Sequence, residues 1–136
     1  MNDLTWKYVK ELKNENLIEN FEIENLVKLP FNLVECIKKY NGGRPNRKIF
    51  DTEVSKERVF KSLLSYNHDD LETVYLALEV LKNEGQKLIP IASDPSGNYI
   101  CYNPEKKYIE LWLHETNTSE KISDDFDSFL NSLYED

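Results

Sequence analysis

His114-Glu115 closes the run Leu111-Trp112-Leu113 and is the pair in this chain that most invites metal or acid–base chemistry. A zinc hydrolase of the H-E-x-x-H kind needs a second histidine one helical turn on, so that two imidazoles hold the metal and leave it a position for water. Position 118 is threonine, the surrounding residues are strand formers, and the other histidine, His68, is remote in sequence. Cys36 and Cys101 stand alone, without CxxC spacing. We expect no metal site and no cofactor.

Nucleophilic chemistry meets a similar obstacle. Asp94 with Ser93 or Ser96, beside His114, has the residue types of a triad, but no G-x-S-x-G elbow or oxyanion site accompanies them. The acidic pairs Asp69-Asp70 and Asp124-Asp125 precede helix-like segments, where the dipole favours carboxylates without any acid–base role. Gly42-Gly43 and Gly97 lack both GxGxxG spacing and a following Lys-Ser/Thr, so they form no phosphate loop. The expectation is a protein that is not an enzyme.

Binding remains. Seventeen basic residues against twenty-five acidic ones give a net charge of -8, the wrong sign for direct nucleic-acid binding. Such a balance favours basic partners, whose complementary field speeds encounter. Six acids stand against the single Lys121 between Thr118 and Asp136, and among them Glu120, Asp124, Asp125 and Asp127 are the candidate partner-binding carboxylates. Tyr102, Tyr108 and Trp112 are the candidate aromatic anchors, provided that they are exposed.

These residues need a scaffold. A chain of 136 residues with 40% hydrophobic and 12% aromatic content fits one domain, residues 1 to 136, with a real core. The charged N-terminus has no signal-peptide core and no stretch approaches membrane-spanning length, so we expect a cytoplasmic protein with both cysteines as buried thiols. Trp6, Val9 and Leu12 recur at three-residue spacing and predict a short helix, with Leu17, Ile18 and Phe21 continuing the apolar content. Residues 29 to 43 predict a second helix, opened by Pro30, buried through Leu33, Val34, Ile37 and Tyr40, and stopped by Asn41-Gly42-Gly43. Residues 48 to 66 fit helix or strand equally well. Asp69 with Glu72 predicts a capped helix whose stripe is Leu71, Val74, Tyr75, Leu78 and Leu81, ended by Gly85.

From Lys87 the texture is β: LIPIAS, NYICYN and YIELWLHE read as an antiparallel meander with turns at Asp94 to Asn98 and Pro104 to Lys107. Ile109, Leu111 and Leu113 alternate with Tyr108, Glu110 and Trp112, giving one aliphatic face and one aromatic, charged face. Ser123 is the expected N-cap of a last helix that docks through Phe126, Phe129, Leu130 and Leu133. The fold class is α+β: N-terminal helices, a central mainly antiparallel sheet and a C-terminal helix packed on the sheet.

In this order the pieces resemble the SUKH superfamily of Smi/Knr-like domains. The resemblance rests on Leu29-Pro30 with Asn41-Gly42-Gly43, Ile89 to Asp94 with Gly97 to Cys101, Leu111 to Glu115, and the Phe126 to Leu130 helix. It implies a largely antiparallel sheet, strands over residues 57 to 65, and a binding scaffold without catalytic residues. It further implies an immunity protein whose partner is a cognate toxin protein with a basic nuclease domain. The other implied function is a regulatory interaction module related to cell-wall synthesis regulators. Oligomeric state is not legible.

Overall fold

The computed structural model describes residues 3–136. Strand β1 (Trp6–Lys7) is followed by helices α1 (Leu17–Asn25) and α2 (Phe31–Tyr40), then by four short strands: β2 (Arg44–Pro45), β3 (Ile49–Phe50), β4 (Arg58–Val59) and β5 (Ser62–Leu63). Helix α3 (Val74–Asn83) leads into β6 (Ile89–Ser93), β7 (Tyr99–Asn103), β8 (Tyr108–Leu113) and β9 (Thr118–Ser123), and α4 (Phe126–Ser132) closes the chain. The order β5-β6-β7-β8-β9 is antiparallel throughout. This is the α+β architecture expected, with α4 seated on the sheet.

The main core lies on one sheet face. Ile100, Tyr102, Ile109 and Leu111 meet Phe21 of α1, Leu33 and Ile37 of α2 and Phe129 of α4. Phe129 stacks on Phe60 at 5.8 Å and meets Phe50 edge-on at 5.4 Å. Side chains alternate along a strand, so Cys101 and Trp112 point the other way and form a second cluster with Leu81 and Leu88. Helix α3 serves both clusters, since Val74, Ala77 and Leu78 join the first and Leu81 the second. Pro90 sits at the β6 register shift, opposite Cys101 of β7 and clear of the two β5 residues that pair with Ala92 and Ser93.

Four expectations are corrected. Trp6 to Leu12 is not helical: Trp6 pairs with Pro45, stacks on Tyr40 at 5.2 Å, and the Lys10 N–H donates to the Asn41 carbonyl. Three apolar residues were too few to distinguish a helical face from an extended arm laid on the core. The cap of α3 is Thr73, whose hydroxyl accepts from the Leu76 N–H, while Asp69 pairs with Lys13 at 2.7 Å and Leu71 is exposed. The cap of α4 is Asp125, which accepts from the Ser128 N–H; Ser123 instead donates to the Asp125 carbonyl. Strand β9, read from sequence only as an acidic tail, is a polar edge strand whose side chains stay at least partly in water.

Other expectations hold. Residues 57 to 65 hold the two short strands β4 and β5, as the resemblance implied, entered through Glu57 at φ 58°. Helix α2 ends at Tyr40 and the chain turns away through Asn41 and Gly42, the latter at φ 72°, while Pro30 stands one residue outside the helix as its N-cap. The Asp94 to Asn98 cluster is a turn closed by its own side chains.

Candidate partner-binding surface

The acids after Thr118 do not make one free patch. Glu120, on β9, accepts from the hydroxyls of Thr52 (2.8 Å) and Ser55, with the Arg58 guanidinium 4.0 Å away. Its carboxylate anchors the loop between β3 and β4. Asp125 caps α4, and the Ser128 N–H holds its carboxyl below the usual carboxylate range. Asp127 accepts from the Asn32 side-chain amide at 2.6 Å, tying α4 to α2, and Asp124 pairs with Lys121 at 2.7 Å. Asp124, Asp125 and Asp127 all remain exposed to solvent, so they contribute field even while engaged.

Two of the three aromatic anchors expected beside them are buried. Trp112 is 1% exposed and donates its indole N–H to the Asn117 side-chain oxygen, and Tyr102 is 6% exposed in the main core. Tyr108 is half-buried, with the Lys121 ammonium 5.0 Å above its ring. Trp112 is buried because α3 and the β8–β9 turn cover the second sheet face, and Tyr102 because it points into the main core beneath the helices.

A different surface combines exposed aromatic area with a group of acids, two of them outside any ion pair or cap among the described residues. Glu15, Glu19 and Glu22 recur at i, i+4 and i+7 and line a cleft of about 390 Å³ between α1 and α2, with Glu35 also on its wall and Lys28 and Lys38 as the cations opposite these four acids. The α2 face that turns inward is Leu33, Cys36 and Ile37. Phe31 lies about half a turn from Leu33 and so faces out, 75% exposed on the cleft rim. The Leu29 N–H donates to Glu22 at 2.8 Å, which fixes the turn between the helices. Glu35 pairs with Lys38 at 3.6 Å, while Glu15 and Glu19 form no ion pair among the described residues. Phe31 standing off the apolar face of α2, and the regular glutamate spacing, were the sequence signals for this site. Counting acids only after Thr118 passed over both.

Of the residues considered for catalysis, His114 lies beside the Asp94 to Asn98 turn, its ring against Gly97, but the Asp94 carboxylate is taken up by Ser96 and Asn98, and His68 lies elsewhere. His114 lies exposed in a turn, where its backbone N–H donates to the Asn98 side chain, and His68 stacks on Tyr75 at 3.8 Å. Burial pushes the Cys36 thiol up to about 12 and raises that of Cys101 well above its ordinary value, so both favour the unreactive thiol form. Among the described residues no three His, Cys, Asp or Glu side chains are placed to hold a metal, and no helix is long and apolar enough to cross a membrane.

Residues 15–130 match the family model SUKH_6, described as SMI1-KNR4 cell-wall. The chain belongs to this family. The SUKH match spans most of the chain and takes in the whole α1–α2 cleft. SUKH domains are generally non-catalytic, and membership makes this chain a protein-interaction or immunity module of the SUKH type in that general sense. No curated protein and no solved structure matches it.

Proposed function

We propose that this SUKH chain is an immunity protein: in the cytoplasm it binds a cognate toxin protein and blocks it by covering its surface, without catalysis. The observation that carries the reading is Phe31, exposed over a cleft lined by Glu15, Glu19, Glu22 and Glu35. A nuclease toxin has a basic active-site cleft, and carboxylates presented to it take the place of phosphates while an aromatic side chain supplies the desolvated centre. Asp124 and Asp127 extend the acidic field, and the net charge of -8 steers a basic domain towards it.

The test is co-expression with the toxic domain encoded beside this chain. Wild type is expected to form a complex and restore growth; Phe31→Ala with Glu15→Lys and Glu19→Lys is expected to lose both while keeping its melting temperature. No complex and no rescue by wild type rejects the reading. Full rescue by the triple variant places the contact elsewhere, and Asp124→Asn with Asp127→Asn is then the informative pair. The family description favours a second reading, a regulatory module of the cell-wall kind, for which capture of an envelope-synthesis protein in place of a toxin is the discriminating result.

A further inference from the structure

Leu26 ends α1 in the left-handed conformation, φ 53° and ψ 47°, where helices ordinarily place glycine. The conformation is costly for a side chain with a Cβ, and no packing offsets it, because Leu26 is 94% exposed. Two clefts open on either side, of about 580 Å³ and 390 Å³, and Leu26, Val27 and Pro104 line both. The apolar surface is thus continuous across the ridge that Leu26 forms.

Its charge is opposite to that of the molecule. Lys28 and Lys107 border the first cleft and Lys82 and Lys87 the second. None of the four forms an ion pair among the described residues; Lys82 donates only to the neutral Asn25 side chain, at 3.3 Å. The carboxylates that line these clefts are Glu24 and Asp125, and Asp125 is committed to capping α4. We infer that this surface docks an acidic segment of a partner protein, which seats an apolar side chain between Leu26 and Pro104 and sets its carboxylates against the lysines. The surface shares Lys28 and Leu29 with the glutamate cleft but neither Phe31 nor any of its glutamates, so the inference does not depend on the toxin reading.

The probe is a displayed random-peptide library selected on the full-length chain and depleted on Leu26→Gly, which removes the anchor but keeps the Phe31 cleft. Survivors, resynthesised, are expected to carry Asp and Glu around one Leu, Ile or Phe and to bind with an affinity that falls with added salt. Leu26→Gly is expected to weaken them about tenfold or more while raising the melting temperature, since glycine accepts the positive φ. Lys82→Glu with Lys107→Glu, which lie outside the Phe31 cleft, is expected to abolish binding, and Phe31→Ala to leave it unchanged. The inference is overturned if no sequence survives depletion, if survivors are basic, if binding ignores the lysine reversal, or if sedimentation shows the surface covered by a second copy of the chain.

Discussion

Asp94 illustrates how a residue with catalytic potential is consumed by structure. It is buried, and its carboxylate accepts from the N–H groups of Ser96 and Asn98 and from the Asn98 side-chain amide. Asp94→Ala is expected to cost about 2–3 kcal/mol by leaving those donors unpaired, read from denaturant midpoints. Gly97 in the same turn has φ 89°, so Gly97→Val should cost about 2 kcal/mol while partner binding survives in the folded fraction. Full stability with binding lost would make this turn a contact site instead. Trp112→Ala should cost about 3–5 kcal/mol, because the ring fills the second cluster and is no exposed anchor. Asp125→Ala should cost about 1 kcal/mol at neutral pH. Its folded carboxyl titrates below the unfolded one, so the capping contribution is complete above the ordinary carboxylate range and lost as pH falls through the depressed value. The difference in stability between wild type and Asp125→Ala should therefore shrink in strong acid, measured by unfolding across pH.

At the scale of elements, the buried amides hold the N-terminal arm. Asn67 accepts from the Lys13 N–H and donates to the Glu11 carbonyl, and Asn41 donates to the Lys10 carbonyl and the Ser65 hydroxyl while accepting from the Tyr66 N–H. Asn67→Ala is expected to free residues 10 to 13, so that trypsin cuts after Lys10 or Lys13 well below the temperature of global unfolding, with mass spectrometry identifying the cut. No local pattern announced this arm, since its partners lie 31 to 56 positions away. Strand β9 was hidden for another reason. It is an edge strand whose side chains keep contact with water, so TSEKIS shows none of the apolar alternation that marked β7 and β8. Helix α4 was legible because Phe126, Phe129, Leu130 and Leu133 recur at helical spacing, and all four are buried. Only its cap moved, by two residues, since the hydroxyl and carboxylate before it are both competent acceptors.

Charge is spread unevenly over the molecule: four glutamates with Lys28 and Lys38 beside Phe31, lysines in excess around Leu26 and an engaged acidic corner at α4. For a basic partner, the association rate should fall about tenfold or more between about 0.01 M and about 0.15 M salt, with dissociation far less affected, as stopped-flow mixing would show. By itself the sequence determined the fold class, the meander, helix α2, the docking face of α4 and the family, because these follow from local periodicity and from turn residues whose geometry leaves few alternatives. Which carboxylates are free, which aromatics are exposed and where apolar side chains break the surface were decided by the tertiary structure alone. An ion pair, a cap or a second layer over a sheet depends on a partner distant in the chain. The same Asp, Trp or Leu is therefore an anchor or a structural member according to what folds against it.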